Sequence, residues 1–193
     1  KKAVKRDFDM IEMDLQLCKH DIIIIYHDPY IQKKIISDLT IEEIKHIDND
    51  IMTFEEFIHN FDYTNIALYL DLKGSNKLAQ VLHNFICKHS LQYHSMYFAS
   101  FNLHHLQMLI EFNKSYNLGF ITCNHLMNDM LDFIIRKFDL RFIAVSWNML
   151  EHTTIEHIHS SNVKVYAYTA DKPFVLEAIK KYNVDGIVSN IRI

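Results

Sequence analysis

The feature that most narrows the fold of this chain is a repeating alternation of short apolar strands and amphipathic helices. Taking the strand ends as Lys73, Ser100, Cys123, Trp147, Thr169 and Ser189, the intervals are 27, 23, 24, 22 and 20 residues. Between the strands, apolar stripes at helical spacing appear: Leu78, Val81, Leu82, Phe85 and Ile86; Leu103, Leu106, Leu109 and Ile110; Met127, Met130, Leu131, Ile134, Ile135 and Phe138. A weaker helix is expected over 154–159, and another over 173–182 with Pro173 in its first turn. A β/α repeat of this length predicts a parallel sheet with helical crossovers. An open dinucleotide-binding sheet would carry a glycine-rich phosphate loop after its first strand, and none is present. The expected fold is therefore α/β, a TIM (β/α)8 barrel formed by residues 1–193 as a single domain. Strands that keep the rhythm begin at Phe8, Ile66, Ser95, Leu118, Arg141, Val163 and Asp185. Lys1 is not a methionine and 1–6 read as the tail of a helix, so the first strand of the barrel is expected to lie upstream of this chain.

Composition removes several classes of function. A net charge of −4, without a dense Lys/Arg patch interleaved with aromatics, argues against nucleic acid as a partner. The longest apolar runs, 22–26 and 66–70, are far too short to span a bilayer, so stable membrane insertion is not expected. Cys18, Cys87 and Cys123 are scattered without the paired spacing of a zinc site, and are expected as free or buried thiols.

The chemistry concentrates in residues 8–29. Glu12 and Asp14 share one face of a strand, their Cα atoms about 7 Å apart, with Ile11, Met13 and Leu15 on the other. Two carboxylates on an otherwise apolar strand are costly to bury without a positive partner. The next apolar run, 22–27, is followed by His27-Asp28, which adds an imidazole suited to proton transfer. A second strand, over 66–73, places Asp71 and Lys73 on one face and Leu70 and Leu72 on the other. Three carboxylates suffice for a Ca²⁺ or Mg²⁺ site completed by water and substrate oxygens, and Lys73 is placed to hold a phosphate as a point charge. In a barrel these groups gather at the C-terminal ends of strands, where Ser100, Trp147 and Tyr168 are also expected. Ser100 reads as a strand-end hydrogen bonder. His104, His105, His152, His157 and His159 read as solvated helix faces. Two capping boxes, Thr40-Ile-Glu-Glu43 and Thr53-Phe-Glu-Glu56, predict short helices reaching about Ile47 and Phe61.

Taken in order, Ile-Glu-Met-Asp at 11–14, His27-Asp28, Leu39-Thr-Ile-Glu-Glu, Met52-Thr-Phe-Glu-Glu-Phe, Leu70-Asp-Leu-Lys73, Ala99-Ser-Phe-Asn102, Val165-Tyr-Ala-Tyr-Thr169 and Val184-Asp-Gly-Ile-Val-Ser189 span nearly the whole chain. In this set the chain resembles the glycerophosphodiester phosphodiesterases. The resemblance implies a TIM barrel that hydrolyses a small-molecule glycerophosphodiester, using a divalent metal and two histidines. By position, Glu12 and Asp14 look like metal ligands, with Asp71 where the family usually has a third ligand, Glu. Lys73 would contact the phosphate, His27 would be one of the two acid/base histidines, and Tyr168, where the family typically has Trp, would line the substrate site. Ser189-Asn190 stand where the family has Thr-Asp. The family's opening His-Arg-Gly, which carries the other histidine, has no counterpart among the eleven residues before Glu12. An N-terminally truncated member is the expectation. The alternative is a catalytically impaired relative that binds a phosphoester or metal.

Overall fold

A computed structural model describes residues 8–190, so the helix tail expected over 1–6 lies outside the described residues. The chain divides into two compact units, residues 1–116 and 117–193.

In the first unit the strands are β1 (Met10–Cys18), β2 (Ile22–Ile25), β3 (Tyr30–Ile31), β4 (Lys34–Ile35), β5 (Met52–Thr53), β6 (Ala67–Leu72) and β7 (Met96–Ser100). The helices are α1 (Ile41–Ile47), α2 (Phe54–Asn60), α3 (Lys77–Lys88) and α4 (Leu103–Phe112). The sheet runs β7-β6-β1-β2-β5; β1, β6 and β7 are parallel, while β2 returns antiparallel beside β1 and β5 antiparallel beside β2. Leu68, Leu70 and Leu72 are buried on β6, and Leu78, Leu82, Leu106 and Leu109 supply buried faces of α3 and α4. A separate cluster of Cys18, Ile24, Ile31, Ile36, Leu39, Ile44 and Ile51 packs β2, the β3–β4 hairpin and α1 together. Both capping boxes form: Thr40 and Thr53 accept from the Glu43 and Glu56 amides, and the two glutamates accept from the threonine amides.

The second unit is a run of β/α pairs: β8 (Asn117–Thr122), α5 (Asn128–Phe138), β9 (Phe142–Ser146), α6 (His152–Ser160), β10 (Lys164–Ala170), α7 (Pro173–Ile179) and β11 (Gly186–Ser189). Its strands lie in the order β8-β9-β10-β11, all parallel. Trp147, expected at a strand end, instead begins a 3₁₀ turn over Trp147–Met149. Among the described residues no helix is long and apolar enough to cross a membrane.

Two of the chain's three glycines are explained by packing in this second unit. Gly119 pairs with Phe142 in the β8–β9 register, and Gly186 with Tyr166 in the β10–β11 register. The Phe142 and Tyr166 rings stack with centroids 4.8 Å apart. A Cβ on Gly119 would fall 2.1 Å from Phe142 Cζ, and one on Gly186 would fall 2.8 Å from Tyr166 Cδ1. The rings thus fill the space that two missing side chains leave. Gly119→Ala is expected to destabilise the protein by about 1–3 kcal/mol through overpacking, measured by urea unfolding. Shortening the ring in Gly119→Ala/Phe142→Leu should recover part of that loss, and a double variant less stable than the single one would refute the steric explanation.

Candidate active site

The candidate site in the first unit follows from strand register. Asp14 on β1 pairs directly with Asp71 on β6, and Asp71 with Ala99 on β7. Side chains in register on parallel neighbours lie on the same face, so the two aspartates meet, and the small Ala99 leaves room beside them. Glu12, two residues earlier on β1, shares that face. One carboxylate oxygen from each of Glu12, Asp14 and Asp71 lies within 4.8 Å of the other two. Lys73 follows β6, its amide held by the Leu15 carbonyl at 2.9 Å. Its ammonium bridges the aspartates, 3.0 Å from Asp14 Oδ1 and 2.7 Å from Asp71 Oδ2, and sits 5.5 Å from the Phe101 ring centroid.

One ammonium does not balance three carboxylates, and the acidic groups respond. Solvent still reaches Glu12, but the protein around its carboxyl removes enough water, with Asp14 and Asp71 adding repulsion, to push its pKa up to about 8. Burial raises that of Asp71 to about 6, with Lys73 opposing. Asp71 Oδ1 is buried and, among the described residues, no group donates a hydrogen bond to it. A buried oxygen without a partner, in a donor set made wholly of carboxylates, fits a hard divalent cation such as Ca²⁺ or Mg²⁺. Glu12, Asp14 and Asp71 are the residues that would hold it.

Of the other residues expected at a site, His27 lies on an exposed bend just after β2, with Nδ1 2.8 Å from Asp28 Oδ1. It is close enough to Asp71 to favour that residue's ionised form. Tyr168 lies in the second unit, half-buried on β10, where its hydroxyl donates to the Thr122 carbonyl at 3.0 Å.

His105 corrects the sequence expectation. Instead of lying on a solvated helix face, it is fully buried, because its position on α4 faces the loop between β6 and α3. Its Nε2 contacts the Ser75 carbonyl at 2.9 Å and its Nδ1 contacts Ser100 Oγ at 2.9 Å. A carbonyl only accepts, so the ring proton resides on Nε2, and burial lowers the pKa of the ring. Ser100, read from the sequence as a strand-end hydrogen bonder, has an imidazole neighbour: its one hydroxyl hydrogen faces two acceptors, that Nδ1 at 2.9 Å and the Leu72 carbonyl at 2.7 Å. Asn102 Nδ2 donates to Asn76 Oδ1 at 2.6 Å. Together these bonds fasten the loop that carries Lys73. No local pattern marked His105 among thirteen histidines; the one legible hint was its position next to the Leu106 core stripe. His157 and His159 are also not free faces: they lie 2.9 Å from Asp132 and Asp185. Gln16, which no sequence pattern singled out, is a polar residue that continues the Glu12–Asp14 face into a buried position.

A model of the glycerophosphoryl diester phosphodiesterase family matches residues 1–191. The chain is 25% identical over 215 aligned residues to the YhdW protein of Bacillus subtilis, covering 97% of this chain and 85% of that protein. To the glycerophosphodiester phosphodiesterase of Caldanaerobacter subterraneus subsp. tengcongensis it is 22% identical over 215 residues, covering 98% and 85% respectively. In three dimensions it is similar to an Oleispira antarctica phosphodiesterase in complex with the product sn-glycerol-3-phosphate, with a TM-score of 0.86 and 18% identity over 97% of this chain and 83% of that one. The α/β TIM-barrel class expected from the β/α repeat is the fold shared with that structure.

The raised carboxyls set a pH dependence. Glu12 goes from 4.5 to about 8 on folding and Asp71 from 3.8 to about 6, so the folded state holds more protons than the unfolded one in between. Their contribution to stability is complete below about pH 4 and is lost as pH rises through about 6 and then 8. The metal-free protein is therefore expected to lose a few degrees of Tm between pH 5 and pH 8, with Glu12→Gln losing less. A wild-type Tm that holds level or rises relative to Glu12→Gln across that window would contradict these shifts.

Proposed function

The chain belongs to the glycerophosphoryl diester phosphodiesterase family, whose members are phosphoric diester hydrolases, and we propose that it hydrolyses glycerophosphodiesters to an alcohol and glycerol 3-phosphate with a bound Ca²⁺ or Mg²⁺. The observation that carries this reading is a three-carboxylate group that, among the described residues, is served by the single ammonium of Lys73 and leaves Asp71 Oδ1 without a hydrogen-bond partner. The product held by the Oleispira antarctica enzyme supports the choice of substrate class.

In this reading Glu12, Asp14 and Asp71 would hold the metal, which when bound would supply positive charge to a phosphodiester. Lys73 has three N–H donors, two directed at Asp14 and Asp71, and the third is left for a phosphate oxygen. Its carboxylate partners keep it charged: Asp71 and Asp14 raise its pKa against the opposing effect of burial. His27 carries proton transfer. With Nδ1–H donated to Asp28 Oδ1, the neutral ring presents Nε2 as a base; protonated, the same nitrogen becomes the acid that delivers a proton to the leaving alkoxide. The reaction needs one proton taken from water or a neighbouring substrate hydroxyl and one given to the departing oxygen, and His27 is assigned one of these two transfers, as one of the pair of histidines the family resemblance implies. Tyr168 is assigned to the substrate side on the family resemblance.

Two measurements test the assignment. Glycerol 3-phosphate release from a glycerophosphodiester, with Mg²⁺ or Ca²⁺ present, should fall by about 10²–10⁴-fold in His27→Ala; equal rates would remove His27 from the mechanism. Calorimetric titration of Mg²⁺ and Ca²⁺ into Glu12→Gln/Asp14→Asn should show at least a tenfold weaker affinity than wild type, and unchanged affinity would exclude this pair as ligands. Metal binding by a wild type that shows no turnover would favour the impaired relative.

A further inference from the structure

Gln16 occupies a position where the β1 pattern offers no obvious reason for an amide. It shares the face of Glu12 and Asp14, is only 6% exposed, and lies beside a strand made of four isoleucines. A buried amide must find partners or destabilise the fold. Gln16 Nε2 finds two: it donates to the Tyr26 carbonyl at 2.6 Å and to the Asp28 carbonyl at 2.8 Å. These are the carbonyls of the residues immediately before and after His27. Both hydrogens of one NH₂ group are thus fastened to the backbone on either side of the imidazole.

The backbone path explains why such a clamp matters. β2 ends at Ile25, and a last rung, Tyr26 N–H to the Asp14 carbonyl at 3.0 Å, continues the ladder by one residue. Residues 27–29 then bend away, and the next backbone bond on the far side joins Ile36 N–H to the Pro29 carbonyl at 3.0 Å. Packing cannot hold the imidazole, whose side chain is 71% exposed. Its own side-chain partner, Asp28, sits on the same bend and moves with it. The position of the His27 ring is therefore set by the path of its backbone, and the fixed structure that grips that path on both sides of the ring is Gln16.

We propose that Gln16 is a positioning residue that holds His27 against the acidic group, so that it governs the proton-transfer step and not metal or substrate binding. The proposal rests on the reading of His27 as the proton-transfer group. Gln16→Met keeps the length and removes both donors, while Gln16→Glu keeps the shape and turns acceptors toward the two carbonyls. Each is expected to lower kcat by about 10–100-fold, since displacements near 1 Å at a reacting group cost that much, with KM and Mg²⁺ affinity within twofold of wild type. Intact Mg²⁺ binding also reports that β1 is folded, because Glu12 and Asp14 lie on the same strand. The decisive comparison is a double-variant cycle: in a His27→Ala background, Gln16→Met should lower kcat no further. A Gln16→Met effect as large in His27→Ala as in wild type, or one that appears in KM and Mg²⁺ affinity instead of kcat, overturns the proposal. So does a loss of turnover in His27→Ala with none in Gln16→Met or Gln16→Glu. If instead His27→Ala keeps full turnover, the proton-transfer reading of His27 fails and takes this proposal with it, an outcome separable from failure of the clamp alone.

Discussion

Asp14 and Asp71 stand in register on adjacent parallel strands, and the repulsion between them, compounded by Glu12, is the interaction that the rest of the first unit answers. Two unit charges a little under 5 Å apart repel by about 3 kcal/mol at the effective dielectric of a protein surface. Against a whole-fold stability of about 5–15 kcal/mol, three such pairs could not be tolerated unanswered. The molecule answers in two ways. Lys73 is drawn between the aspartates, and the glutamate and Asp71 are pushed toward their protonated forms. A divalent cation held by the three carboxylates would be a third answer with the same logic, since it would replace the proton on Glu12 and offer Asp71 Oδ1 a partner.

β1 is the common support. Glu12, Asp14 and Gln16 project from one face of it; its Leu15 carbonyl holds the Lys73 amide, and its Asp14 carbonyl holds the amide of Tyr26. The strand has this capacity because it sits centrally, parallel to β6 on one side and antiparallel to β2 on the other. The antiparallel return brings the chain back beside β1 to place His27 thirteen residues after Asp14, without a helical crossover. Around this support, buried hydrogen-bonded polar groups hold the irregular backbone: Gln16 for the bend bearing His27, and Ser100 and His105 for the loop bearing Lys73. A satisfied buried network is stiff, because breaking any member leaves a desolvated partner unpaired.

The regular parts of this architecture were legible from residue order, and the reason is local. Alternation of apolar and polar positions, a 3.6-residue stripe and a threonine three residues before a glutamate act over one element at a time. The helices over Ile41–Ile47 and Phe54–Asn60 therefore start where their capping boxes place them. The pairing of Glu12 with Asp14 was legible for the same reason, since a strand's period of two needs no tertiary information. Trp147 escaped, because whether a strand continues for one more residue depends on its neighbours' hydrogen bonds and not on its own side chain. His105 and Gln16 escaped more completely: each is defined by carbonyls thirty and about ten residues away in sequence, and no local pattern marks which polar residue will find such a partner.

By itself, then, the sequence determined the β/α order, the faces on which Glu12, Asp14, Asp71 and Lys73 lie, and the family to which the set belongs. Tertiary structure decided which of those faces meet. Register between β1 and β6 placed Asp14 against Asp71 and turned Lys73 into their shared counter-ion. It also decided which polar residues work on the site from behind, since burying an amide or an imidazole is tolerable only where distant backbone groups arrive to satisfy it. Periodicity is written into neighbouring residues, whereas register and hydrogen-bond satisfaction exist only between segments that folding has brought together.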